Sequence, residues 1–546
     1  ILAISPTAAA QQTELTTADR LAILYAPQLD FTEAGDPMIR VGLVEGRETI
    51  HFTPSKPIRV MPRGSEGAEV VLPADHRYTV RVSDSEPGGY EHWVVVDGLT
   101  MSQRERVDAV KKEWVKRNYQ PRTFQVGGLF GIRGEVFDSR KIAVAVGGVE
   151  DHGEARKLRQ KLEARHGINA RIHSELTEHP SAQFELTGAG IDITVRHRDV
   201  MWIAARDGEA GEIRYEVPRV PKPRGEGTET LTFGGRLIVA PDRDGKIALI
   251  NKIGAERLVK GVVPAETYAS APLGALRAQA VAARNNVFAA IGVRNLADPY
   301  MLRSDVYDQV YRGLEAETDR TSKAVESTRG QVMFHGGQII DAKYSSNAGG
   351  FTESNENVWN AEPRPYLRGR PDAPMESVPE KFRDGIDEDE LGAFLDEGFD
   401  AYSKDAPIGS TRLYRWEKTV EAAEALEWLD EHGREIERIQ TADVTSRGKS
   451  GRAIRMKLVG ADDQTTYVER ELNIRRLFDN LRSGLFTMRV DRREDGTIST
   501  FHFKGAGFGH GVGMCQTGAT GMAQAGKSYK DILTHYYKGI EIKSLY

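Results

Sequence analysis

The stretch from Val262 to Phe288, VVPAETYASAPLGALRAQAVAARNNVF, constrains this chain more than any other. Val262–Val263 is a short apolar run that Pro264 ends, and a single acid, Glu266, stands just after it. Pro272 then opens a helical pattern. Leu273, Leu276, Ala280, Ala283 and Val287 recur at helix spacing and form one apolar stripe. Alanine is the best helix former, and proline suits a first helical turn. Arg277 and Arg284 fall on another face, about two turns apart. The local reading is therefore a turn, an acid, and a helix that is mostly buried. An acid in that position can be no more than a partner for the helix dipole, so a chemical role must be argued from the rest of the chain.

A chain of 546 residues suggests roughly three or four domains. With 39% hydrophobic and 28% charged residues it can bury a large core. A net charge of −6 forces no basic face, so nucleic acid is not an expected partner. Cys515 is the only cysteine, which excludes an internal disulfide and a Cys-rich metal cluster. The start, ILAISPTAAAQQTEL, is a short apolar run ending in Ala8-Ala9-Ala10. It reads either as a signal-peptide remnant over 1–10, cleaved after Ala10, or as an unstructured start. The first reading implies export to the periplasm or to the cell wall or exterior. No later run approaches the ~20 apolar residues of a membrane span, so no integral membrane segment is expected in the mature chain.

The expected fold class is α+β, with a β-rich core, several helices and a small inserted α/β domain. Residues 14–30 read as a short helix, and IRVGLVEG, IRVMPR, YTVRVS and HWVVVDG read as strands. Together they make an N-terminal region over 11–115, which includes a helix at Val107–Arg117. In 116–217, the strands FQVGGLF and KIAVAVGG, the helix Glu154–His166 and the strand INARIHS form a unit. It is similar to a SPOR repeat, a small domain that binds peptidoglycan glycan stripped of its peptides. Arg156, Lys157, Arg159 and Lys161 read as a solvated helix face. PRVPKPRGEGTE, at 218–229, is a linker by composition. Asp244-Gly245 is a hairpin signal, as is Gly336-Gly337. The main core is expected over 230–546, with an acidic surface excursion at 372–410.

Two patterns mislead. GMAQAGKS at 521–528 fits a phosphate loop, but no apolar strand precedes it. The glycines from Gly505 to Gly513 give no dinucleotide fingerprint in any frame. Cys515, among small residues, reads as a packed core atom.

Four segments, in order across 230–546, resemble the SpoIID/LytB family of sporulation stage II protein D and amidase-enhancer proteins. They are VVPAE with ALRAQAVAAR; GQVMFHGGQIIDAKYSS..GG with E.VW; SRG.SGR; and KGAGFGHGVGMCQ.GA.GMA..GKSY..IL.HYY. The resemblance implies action on peptidoglycan glycan strands, with Glu266 as the catalytic residue. The implied substrate-binding residues are Arg284, Tyr344, Ser346, Asn347, Gly349, Gly350, Glu356 and His510. Sporulation members are lytic transglycosylases that cut the MurNAc–GlcNAc bond of peptide-free strands and leave 1,6-anhydroMurNAc.

This sequence departs from the family pattern in several places. Thr267-Tyr268 stand where Met-Pro is usual, Asn285-Asn286 where Thr-Tyr is usual, Ala348 where a loop serine is usual, and Cys515 where a serine is usual. Some members bind zinc before a QVY-x-G motif. Here that region, LRSDVYDQVYRG, has no Cys or His, so neither a metal nor a cofactor is expected. Two other readings remain open. One is a non-catalytic activator of a cell-wall amidase, and the other is a secreted glycan-binding protein with a degenerate site.

Overall fold

The computed structural model describes every residue except 1–16, 62–68, 133, 167, 169, 208–212, 223–225, 360, 407 and 409. The expected signal remnant at 1–10 lies outside the described residues. The chain is α+β and rich in strands.

Two large sheets enclose the main core. In the first, Ile247–Gly254 lies between Pro37–Arg47 and Arg236–Pro241, and the sheet continues through Met201–Ala205, Ile58–Met61 and Val70–Leu72. The hairpin at Asp244-Gly245 forms as expected. Gly245 takes φ +73°, and the Asp242 carboxylate accepts from the amides of Asp244 and Lys246. The two strands of this hairpin are buried on both faces. Leu237, Val239 and Leu249 face the main core, and Ile238, Ala240, Ala248 and Ile250 pack with Leu21, Leu24, Val200 and Tyr300. The second sheet runs Ile191–Arg198, Ser181–Gly188, Tyr78–Glu86, Thr49–Pro54, Tyr215–Pro221, Thr228–Phe233. Phe52, Val80, Phe184 and Tyr215 from this sheet join the same apolar core.

This pairing corrects two expected boundaries. Residues 11–115 are not a separate region, because Pro37–Arg47 is hydrogen-bonded along Ile247–Gly254. The expected linker at 218–229 lies within a hairpin, since Tyr215–Pro221 pairs with Thr228–Phe233. Its prolines fit a strand here because Pro218 falls in a register shift and Pro221 is the last residue paired.

The inserted unit is also shifted from 116–217. It runs from Gly89 to Glu178 as strand, helix, strand, strand, helix, strand, with sheet order Arg171–Glu178, Gly89–Thr100, Lys141–Val149, Arg122–Val126, and carries a separate hairpin, Leu129–Ile132 with Glu135–Asp138, between its second and third sheet strands. Val94, Val96, Val144 and Val146 pack against Trp114 and Leu162 of its two helices, Val107–Lys116 and His152–His166. The other sheet face, with Trp93, Phe124 and Ala143, meets Leu296. The unit enters and leaves between Tyr78–Glu86 and Ser181–Gly188, which pair with each other.

Residues 372–410 are not a surface excursion. Phe382, Leu391, Phe394 and Phe399 are buried and form a lobe with Phe351, Tyr414 and Leu485. Of its acids, Glu388, Asp389 and Asp396 lie exposed on the helix Glu388–Asp396, while Asp372 is buried.

Candidate active site

Glu266 ends one helix as well as preceding another. The helix Ala255–Glu266 carries Pro264 inside it, and the Thr267 amide closes its last turn on the Val263 carbonyl. Leu258, Val259, Val262 and Val263 are buried, which outweighs the poor fit of an acid to a helix C-terminus. After a turn, Leu273–Ala290 forms the expected second helix. It is buried almost all round, so its polar residues point into the protein.

The Glu266 carboxylate accepts from the Val310 amide at 2.8 Å through Oε1. The Gln516 side chain donates to the Glu266 carbonyl at 2.8 Å and to Gln279 Oε1 at 3.1 Å. The Tyr344 hydroxyl lies against the side chains of Gln279 and Asn286 and within the field of Glu266. Burial, then the charge of Glu266, hold this phenol well above its ordinary value, so it remains a proton-bearing donor. Glu266 is half-buried, and the buried polar atoms Gln279 Nε2 and Asn286 Oδ1 have no hydrogen-bond partner among the described residues.

Two glycine-rich loops build the wall beside the acid. Tyr344–Ser345 pairs in parallel with Met514–Cys515, Asn347 bridges to Phe508, and Glu353 bridges to Val512. Gly513 makes this approach possible, because a Cβ there would stand 2.0 Å from the Lys343 carbonyl. Arg452 braces the loop from behind. It is fully buried and donates to the carbonyls of Phe351 and Ala348 and to Ser450 Oγ.

The expected site residues divide into two groups. Glu266 and Tyr344 come together. Ser346, two residues after Tyr344, is half-buried, and its carbonyl accepts from both the amide and the hydroxyl of Thr517. Asn347, Gly349 and Gly350 are buried and shape the loop; the Gly349 amide donates to Asn347 Oδ1. Arg284 does not face a substrate. It is fully buried and forks onto Glu256 at 2.8 Å through two nitrogens, with a third contact to the Gln331 carbonyl. The Glu356 carboxylate is taken up by Arg368 through both oxygens. Burial alone would raise the Glu356 pKa, but the Arg368 bonds hold it below its ordinary value. His510 Nδ1 accepts from the Val512 amide, and the ring packs edge-on against Trp359 at 4.7 Å. Burial, with Lys343 and Arg452 nearby, pushes its pKa down to about 3. It is a neutral tie between the loops and not a cationic ligand. Cys515 is buried, and its sulfur accepts from the amides of Ala348 and Gly518.

Sequence reasoning missed Val310, Gln279, Asn286 and Gln516. The signal for Val310 was the QVY segment, read above only for metal ligands. Among the described residues no group of three or more His, Cys, Asp or Glu is placed to hold a metal, and no helix is long and apolar enough to cross a membrane. The phosphate-loop pattern begins inside the helix Gln516–Gln524, and its Ser528 caps Tyr529–Tyr536 in a closed capping box with Asp531.

The fold and site thus define a mixed α+β protein with one acid, at a helix end, against two interlocked glycine loops. A family profile described as Stage II sporulation protein matches residues 243–335, and a domain of unknown function matches 353–513. The chain belongs to the SpoIID/LytB family. It is 30% identical over 312 residues to an uncharacterized protein of Brachyspira hyodysenteriae, covering 57% of this chain and 72% of that one. It is 28% identical over 304 residues to the Amidase enhancer of Bacillus subtilis, covering 52% of this chain and 40% of that protein. It is 26% identical over 340 residues to the Stage II sporulation protein D of Bacillus subtilis, covering 59% and 83%.

Proposed function

We propose that this chain is an exported peptidoglycan lytic transglycosylase that cuts the MurNAc–GlcNAc bond of peptide-free glycan strands. The observation that carries the reading is Glu266, half-buried, oriented by the Val310 amide and set beside Tyr344. In the proposed step, protonated Glu266 gives its proton to the glycosidic oxygen as the C1–O bond breaks. The resulting carboxylate takes the proton of the C6 hydroxyl, and that oxygen bonds to C1 to close the 1,6-anhydro ring. No water enters and one carboxyl group suffices, in contrast to the paired carboxylates of most glycosidases. Glu356 as a second acid would require breaking its pair with Arg368. Tyr344, Gln279 and Asn286 supply hydrogen-bonding groups for sugar hydroxyls and N-acetyl groups. The βαββαβ unit is the candidate SPOR-like glycan anchor.

The test is digestion of intact and peptide-stripped peptidoglycan with mass analysis of the products. Anhydro-ended fragments are expected, and Glu266→Gln should reduce their release by 10²-fold or more. Reducing MurNAc ends without the anhydro form would rule out this mechanism. A second reading is favoured by one observation: the Glu266 carboxylate is already engaged by the Val310 amide. In that reading the chain binds glycan and enhances a cell-wall amidase without cleaving anything. Unchanged enhancement of a purified amidase by Glu266→Gln, with no fragments from the parent chain, would select it.

A further inference from the structure

Tyr268 and Tyr307 are 56% and 77% exposed, the two most exposed aromatic side chains among the described residues. Single exposed apolar residues need no explanation. These two are tied to one point. Tyr268 lies two residues beyond Glu266, so its Cα is within about 7 Å along the chain. Tyr307 lies three residues ahead of Val310, whose amide holds Glu266 at 2.8 Å, so it is within about 11 Å of that amide. They approach the acid by separate routes, one through the helix end and one through the hydrogen bond.

The exposure of Tyr307 does not come from a loose loop. Its amide donates to Asp305 Oδ1 at 2.9 Å. Asp308, next to it, accepts from Arg294, Asn295 and the Arg303 amide at 2.8 Å each. Tyr268 sits in a turn closed by the Ala271 amide on its carbonyl. The Arg303 guanidinium lies 5.7 Å from the Tyr307 ring centroid, yet most of the ring stays in water, as does most of Tyr268; an aromatic ring so framed is a platform for a flat, partly apolar ligand. A pyranose offers such a face, because its axial C–H bonds pack on an aromatic ring while its equatorial hydroxyls reach polar neighbours.

We infer that Tyr268 and Tyr307 are sugar-stacking residues that seat consecutive N-acetylhexosamine rings of the glycan on the approaches to Glu266. The inference rests on the proposed function, and binding can be read apart from cleavage. Glu266→Gln serves as the parent for binding, measured by titration with peptide-stripped peptidoglycan glycan. Tyr268→Ala and Tyr307→Ala should each weaken binding fivefold or more. In the chain with Glu266 intact they should raise KM similarly, with kcat within twofold. Tyr307→Trp should restore binding, and Tyr467→Ala, an exposed tyrosine under Arg455, should change nothing. Unchanged binding in the double alanine variant would overturn the inference and leave the role of Glu266 standing. Full cleavage by Glu266→Gln, with binding lost in the tyrosine variants, would overturn the catalytic reading and leave the stacking surface intact.

Discussion

The His510 ring is neutral in the folded chain, and that has a measurable cost in acid. Its pKa is pushed down to about 3 from an ordinary 6.5, by burial first and then by Lys343, Arg452 and Arg475. The folded state therefore resists protonation that the unfolded chain accepts. Stability from this residue is full above about pH 6.5 and falls as pH drops toward 3, by up to about 1.4 kcal/mol per pH unit. His510→Gln removes that proton, so urea unfolding of the variant should show a flatter loss between pH 6 and 4; parallel slopes would count against it. The same residue shows what a sequence can and cannot tell. A motif histidine and a motif arginine both look like ligands in the string of letters. Whether Arg284 meets a substrate or Glu256 depends on which face of an all-round buried helix it occupies, and local periodicity does not carry that. Glu266 drew notice through the VVPAE motif rather than through its local pattern, and the structure sets it against the Val310 amide. Val310 contributes only its backbone, so the QVY segment that contains it names no side chain to look for.

At the scale of elements, the position of Glu266 depends on how closely its helix approaches the segment 309–313. Gly261 permits the contact, since a Cβ there would stand 2.6 Å from the Tyr311 ring and 2.7 Å from the Gly313 carbonyl. Gly261→Ala should push the two apart and cost roughly 1–3 kcal/mol in denaturant unfolding. Because the displaced segment carries the Val310 amide, cleavage should fall more than the lost folded fraction explains. Gly392, in Glu388–Asp396, has nothing within 4 Å of its Cβ position, so Gly392→Ala should be neutral or slightly stabilising. A Gly261→Ala variant with parental stability and turnover would remove the coupling argued here. The Asp244-Gly245 and Gly336-Gly337 hairpins and the helix Leu273–Ala290 follow from turn chemistry and spacing. The helix Ala255–Glu266 did not, because Gly261 and Pro264 are helix breakers by propensity. Packing against Tyr311 and the core overrides them.

For the whole molecule, the least legible feature was how segments distant in sequence share sheets. Pro37–Arg47 completes a sheet with Ile247–Gly254 around an insertion that leaves and returns at paired strands. Alternation marks each strand but names no partner. The insertion is fixed to the core through a hairpin, Leu129–Ile132 with Glu135–Asp138, whose Phe130 and Ile132 are buried in the main core and whose Phe137 packs on Phe334, and through a backbone contact beside it. The Gly127 amide donates to the Gly292 carbonyl at 2.5 Å, and Leu296 lies on the sheet face that carries Trp93 and Phe124. Gly292 has φ +69°, and a Cβ would come within 2.7 Å of the Gly128 amide nitrogen. Alanine is excluded there by conformation and by space, at a cost of about 1–3 kcal/mol. Because the strand pairings of both large sheets are made outside this contact, Gly292→Ala should loosen the docking beside the hairpin while the sheets stay paired. Hydrogen exchange at 126–140 should accelerate while the amides of Ile247–Gly254 keep their protection. If the inserted unit anchors the chain on glycan, the variant should bind insoluble peptidoglycan severalfold more weakly and still cleave short soluble strands within twofold of the parent. Unaltered binding by a demonstrably loosened variant would sink the anchor role and leave the unit as a structural wedge.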